Sequence, residues 1–123
     1  MDLSLKPSEG LGVLHLFCKY QSSVDSEKVK KTVSESLDRG IQVVVAVMLG
    51  HKADLGLMVL GEDLWDLRDF QSSIDSAGLK VVDSYFSLTE ISEYAAGVPE
   101  EMKQARLYPD PVSYTHLTLP TKA

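Results

Sequence analysis

Two apolar runs separated by a short polar break stand at the centre of the hydrophobicity pattern. Ile41 to Leu49 and Leu55 to Leu60 are built almost wholly from Val, Ile, Leu and Met, while Gly50, His51, Lys52 and Asp54 supply the break. Strands tolerate those break residues poorly and turns favour them, so the stretch predicts a strand, a tight turn and a second strand. In extended chain, alternate side chains face opposite ways. Ile41, Val43, Val45, Val47 and Leu49 then share one face, and Val44, Ala46 and Met48 the other. Both faces are apolar, so the hairpin is expected in the middle of a sheet that needs cover on two sides.

The flanking chain supplies the remaining elements. After a short polar leader, Met1 to Gly10, the run Val13 to Tyr20 alternates as a first strand, with residues 14, 16, 18 and 20 on one face and 13, 15, 17 and 19 on the other. Ser22 to Asp25 offers capping side chains for a helix whose apolar positions Val29, Val33 and Leu37 recur every four residues. Gly40 sits where a left-handed helix end is wanted. Beyond the hairpin, Asp63 can cap a second helix with Leu64, Leu67, Phe70 and Ile74 on one side and Gly78 just past its end. Leu79 to Leu88 reads as a fourth strand. Thr89 to Asp110 is more polar, and Pro99 can open a short helix over Glu100 to Ala105.

The order strand, helix, strand, strand, helix, strand defines an α+β class, the ferredoxin-like βαββαβ unit with an antiparallel sheet. Right-handed crossovers place both helices on the same face. The opposite face is then bare although its side chains are apolar. A second copy, another domain or a bound ligand is expected to cover it.

Composition narrows the classes. The chain has 123 residues, one domain's worth, with 44% hydrophobic and 24% charged residues, which fits a globular protein with a real core. Its 12 basic and 18 acidic residues give a net charge of −6 with no basic cluster, which argues against a nucleic-acid partner. The single cysteine, Cys18, cannot form an internal disulfide, and no apolar run is long enough to span a bilayer. A cytoplasmic protein with no membrane span is the expectation.

Candidate chemistry is sparse. His15 lies mid-strand among apolar neighbours and is expected to be a satisfied core histidine rather than a metal ligand. His51 falls in the hairpin turn, where turn chemistry accounts for it. No Cys or His pair has metal-binding spacing, Cys18 lacks a catalytic constellation, and the glycines do not form a phosphate loop. No metal ligand and no catalytic residue is assigned. Arg106, taken alone, reads as a surface charge ending the short helix.

Three runs in order carry a resemblance: LGHKADLGLMVLGEDLWDLRDFQ, VVDSYFSLTEISEY and PEEMKQARLYP. Over roughly Gly10 to Asp110 the chain resembles the N-terminal half of the coproheme decarboxylases, chlorite dismutase-like haem proteins of bacteria. The resemblance implies one half of a dimeric α+β barrel subunit, two ferredoxin-like halves with facing sheets, assembled as homopentamers. It implies a porphyrin substrate, iron coproporphyrin III, which peroxide-dependent oxidative decarboxylation converts to haem b in haem biosynthesis. Arg106, in the ARLYP run, occupies the position of an arginine that faces a porphyrin propionate. Tyr94, in SEY, either hydrogen-bonds a second propionate or packs the loop, and Tyr108 packs or shapes it. The iron-binding histidine, the radical-forming tyrosine and its neighbouring lysine belong to the other half, so residues 1–110 by themselves are expected to be inactive.

After Asp110 the pattern departs from that family. PVSYTHLTLPT, Pro111 to Thr121, reads like a translated sequencing-library adapter, so residues 111–123 are expected to be a non-native tail. His116 within it is given no ligand role. Two other readings remain open: a cofactor-free ferredoxin-like module for ligand binding or assembly, which fits the periodicity equally well, and a chlorite dismutase, which shares the fold.

Overall fold

The computed structural model describes residues 4–50, 52–89 and 99–109. Four strands, β1 (Gly12–Tyr20), β2 (Gln42–Val47), β3 (Leu55–Gly61) and β4 (Leu79–Leu88), form one sheet in the order β2-β3-β1-β4. Every neighbouring pair is antiparallel. Helix α1 (Ser26–Asp38) joins β1 to β2 and α2 (Leu64–Ser76) joins β3 to β4, each crossing over one intervening strand. This is the ferredoxin-like α+β arrangement that the element order predicts. A third helix, α3 (Glu100–Leu107), follows, two residues longer than its composition indicates.

Local signals place the helix ends. The Asp25 carboxylate accepts from Lys28 N and that of Asp63 from Trp65 N, each satisfying an amide that the first helical turn leaves open. Gly40 and Gly78 follow the helices at φ 83° and 94°, where a side chain is unfavourable.

Both helices cover one face of the sheet. Leu67, Phe70 and Ile74 of α2, with Val29 and Val33 of α1, pack on Leu14, Leu16, Cys18, Val43, Leu57 and Val59. The strand members have the parity expected from the alternation. Ser36, 1% exposed, takes the buried place expected for Leu37, which is 45% exposed. The reason is angular: seven residues past Val29 return a helix to within about 20° of its direction, whereas eight overshoot by about 80°. The Ser36 hydroxyl donates to Thr32 O at 2.8 Å, so its burial leaves no orphaned donor.

The hairpin is not the middle of the sheet. β3 is central, but β2 is an edge strand, and Val45 and Val47 on its helix-facing side are 37% and 81% exposed. Beyond Val43 the edge is apolar without being covered by the two helices. Apolar patterning therefore reports cover that the chain's own helices do not provide.

Two outcomes test this packing. A Cβ on Gly78 would lie 2.6 Å from Val24 Cα, whereas one on Gly40 meets nothing within 4 Å. Gly40→Ala should cost about 1–2 kcal/mol for its left-handed backbone alone, and Gly78→Ala clearly more, as read by urea denaturation. Burial pushes the Cys18 thiol from 9.0 up to about 11. The unfolded chain then loses this proton first, so stability should fall as pH rises from about 9 to 11, and Cys18→Ala should flatten that part of the stability–pH profile.

Candidate functional site

The face opposite the helices carries the site's materials. Directly paired residues of antiparallel strands share a face, so rows can be read across the sheet. One row is Gln42, Leu60, Val13 and Ser87, the next Val44, Met58, His15 and Tyr85, and the third Ala46, Gly56, Phe17 and Asp83. The first row is partly closed, with Leu60 and Val13 at 2% and 8% exposure. The second and third rows contain no fully buried side chain larger than glycine, and Tyr85 is 64% exposed.

His15 is not the satisfied core histidine that its apolar neighbours implied. It is half-buried on this open face, its ring 6.1 Å from that of Tyr85 at a 52° tilt. Its Nδ1 is buried without a hydrogen-bond partner. The other such atom among the described residues is Gln42 Oε1, also on this face. Burying a polar atom without a partner costs about 1–3 kcal/mol, so both mark places where a further polar group would be stabilising.

The segment after α3 closes one end of the face. Leu107 is 3% exposed. The Thr89 hydroxyl donates to Leu107 O and accepts from Leu11 N at 2.8 Å. Tyr108 Oη accepts from Gly10 N at 3.0 Å, and Gln42 Nε2 donates to Pro109 O at 2.9 Å. Tyr108 thus shapes the loop, one of the roles expected of it. Beside this end lies a polar cleft of about 440 Å³ that includes Lys6, Arg39, Gln42 and Tyr108. At the opposite end an apolar cleft of about 420 Å³ is lined by Phe17, Met48, Leu49, Ala53 and Val82.

Arg106 sits in the last turn of α3, exposed, one residue before the buried Leu107. Among the described residues no carboxylate lies within ion-pairing distance of it. Its position at the negative end of the helix accounts for only about 0.3–1 kcal/mol of stabilisation. Tyr94 and His51 lie outside the described residues. The residues that sequence reasoning missed are Thr89 and Gln42, whose partners are 18 to 78 positions away. No local pattern encodes such contacts. Among the described residues no group of three or more His, Cys, Asp or Glu is placed to hold a metal ion, and no helix is long and apolar enough to cross a membrane. The arrangement can bind: it offers a broad apolar surface with two unpaired polar atoms and a cation near its closed end.

A four-stranded antiparallel sheet with two helices on one face and an open apolar face on the other defines a ferredoxin-like α+β fold. The chain belongs to the chlorite dismutase family, whose model, described as Chlorite dismutase, matches residues 23–119. None of the curated proteins matches. Among solved structures, a heme-binding protein from Thermus thermophilus is similar at 21% identity and a TM-score of 0.64, covering 86% of this chain and 51% of its own. Two mutant chlorite dismutases from Candidatus Nitrospira defluvii, one in complex with cyanide, have 21% and 20% identity and TM-scores of 0.53 and 0.55. Each covers 79% of this chain and 47% of its own. At these identities the likeness is one of fold, and the chain spans about half the length of the structures it matches.

The open face generates its own test. With this face and the apolar edge of β2 uncovered, the 123-residue chain should associate at micromolar concentration. Light scattering should give a mass above that of one chain, and a monodisperse monomer would count against the need for cover.

Proposed function

We propose that the chain is the N-terminal half of a coproheme decarboxylase and contributes a propionate-holding arginine to a site completed by the other half. The observation that carries this reading is Arg106 in its ARLYP run, exposed and without a carboxylate partner among the described residues, in the turn anchored next to an open apolar sheet face. A porphyrin presents a flat apolar body and carboxylates at its edge. The open face and Arg106 fit those two parts, but the described residues offer no evident ligand set for iron.

The group, when bound, would supply the redox chemistry: each of two propionates would lose its carboxylate as carbon dioxide and one hydrogen from its β-carbon, the two electrons reducing one peroxide to two waters with that proton and one from solvent, and a vinyl group would remain. This chain's part is to bind and orient. A guanidinium stays charged at the pH of the reaction and its planar fork matches both oxygens of one carboxylate. Val44, Met58 and Phe17 offer apolar surface to the body of the porphyrin once the face is covered. Tyr94 is proposed to reach a second propionate. Residues 1–110 form the native half, inactive by itself, within a cytoplasmic homopentamer. Residues 111–123 are proposed to be non-native. The family match runs on to residue 119, so genomic sequence is decisive: a reading frame that continues through PVSYTHLTLPT would refute the tail assignment.

In the full-length parent, Arg106→Ala should weaken iron coproporphyrin III binding by about 1.5–3 kcal/mol, measured by titration of the Soret band. Arg106→Lys should recover only part, because an ammonium lacks the fork. Arg39→Ala, which removes a half-exposed contact to Asp66 at 3.8 Å, should change little. Unchanged affinity in Arg106→Ala would return the residue to a surface charge at a helix end.

A further inference from the structure

Helix α3 has eight residues and its N-cap, Pro99, makes no side-chain capping bond. Helices that short are marginal in water, so α3 depends on anchorage for a defined position. That anchorage is concentrated at its C-terminal end, and a single hydroxyl stands at its centre. Thr89 Oγ1 donates to Leu107 O while accepting from Leu11 N at 2.8 Å, and Thr89 N donates to Leu11 O at 2.9 Å. One residue thereby ties the end of β4 and the start of β1 to the last turn of α3. Gly10 is shaped to the same end: its φ is +81°, and a Cβ there would stand 2.5 Å from Thr89 Oγ1 and 2.8 Å from Thr89 O. The tie therefore needs a residue without a side chain beside it. Tyr108 Oη, accepting from Gly10 N at 3.0 Å, and Gln42 Nε2, donating to Pro109 O at 2.9 Å, hold the next two residues.

We propose that Thr89 is a positioning residue for Arg106, its hydroxyl clasp fixing the turn from which the guanidinium reaches a carboxylate-bearing ligand. The proposal rests on the propionate role of Arg106 above. Arg106 immediately precedes the residue whose carbonyl is clasped, so its Cα is set by the Leu107 bond even though its own side chain is exposed. A long cationic side chain loses side-chain entropy when it is ordered on a ligand. A fixed base keeps that loss from being compounded by ordering the helix end at the same moment. Only a small side chain that donates and accepts at once can fill this place, which makes serine a functional substitute and the isosteric valine an inert one.

Two readouts separate the clasp from the site. In the 123-residue chain, trypsin cleavage after Arg106 should be at least about 5-fold faster in Thr89→Val than in wild type, and near wild type in Thr89→Ser. Equal rates in Thr89→Val would overturn the clasp whatever the porphyrin does. In the full-length parent, Thr89→Val should raise the Kd for iron coproporphyrin III about 5- to 10-fold, with recovery in Thr89→Ser. Adding Thr89→Val to Arg106→Ala should then weaken binding no further, since the two act as one. Losses that multiply would make Thr89 merely structural and overturn the proposal. If Thr89→Val does not fold, Tyr108→Phe, which removes only the acceptor for Gly10 N, should show the same non-additivity at about 2- to 3-fold, and additive losses there overturn the proposal equally. If Arg106→Ala leaves affinity unchanged, the propionate reading falls and this proposal with it. If Arg106→Ala weakens binding and Thr89→Val does not, this proposal alone falls.

Discussion

β1 and β3 carry apolar side chains on both of their faces, yet the two crossover helices lie on only one, and most of the molecule follows from that mismatch. On the helix side Leu16, Leu57 and Val59 meet Phe70 and Ile74 and are sealed to 2% exposure or less. Each such side chain contributes about 1.5–3 kcal/mol by leaving water, so this layer is sufficient to define the fold. On the other side the same strands present Val13, His15, Phe17, Met58 and Leu60 away from both crossover helices. Part of that surface is closed from within by the residues after α3. The rest is open, and of the two orphaned polar atoms of the described residues His15 Nδ1 lies in the open part and Gln42 Oε1 at the closed end.

Polarity divides the open face as much as cover does. At the end near Thr89 the contacts are hydrogen bonds between backbone groups and three side chains, Thr89, Tyr108 and Gln42. At the end near Phe17 and Met48 the lining is apolar. A ligand with a greasy body and charged margin is matched by such a gradient, and so is a second sheet with a polar rim. The two occupants need not exclude one another, since this chain covers only about half of each structure it matches. The proposed placement of a porphyrin edge near α3 draws on this gradient.

What could be read from the sequence was what short-range chemistry fixes. Asp25, Asp63, Gly40 and Gly78 mark helix ends because the groups they satisfy lie within a few residues. The strand parities follow from the two-residue repeat, and with them the expectation of one bare face. Three readings failed where the answer depends on distant chain. β2 looked interior because it is apolar on both faces, but strand order is set by the crossovers and places it at an edge. Leu37 was assigned to a buried stripe on a repeat of four, and the true period of about 3.6 gives the place to Ser36. His15 reads as satisfied because its neighbours in sequence are apolar, yet among the described residues none of its neighbours in space supplies a partner for Nδ1. Of the two residues expected at the site, Arg106 is described and Tyr94 is not. The clasp that locates Arg106 was invisible, since the Tyr108 bond to Gly10 spans 98 positions.

The bland role of Arg106 and the proposed one differ in magnitude. As a cation in the last turn of a helix it gains about 0.3–1 kcal/mol from the aligned peptide dipoles, less in salt, and Lys would gain as much. That gain requires no fixed helix end. The structure nevertheless commits a buried leucine, a threonine hydroxyl, a tyrosine hydroxyl and a glutamine amide to fixing the residues that immediately follow it. A charge-assisted fork onto a carboxylate is stronger, about 1.5–3 kcal/mol, and falls away steeply with misplacement. A helix end held in one place serves the fold by burying Leu107, and it also suits such a fork. The anchoring around Leu107 thus accords with the propionate role proposed for Arg106, a role that itself comes from the family resemblance.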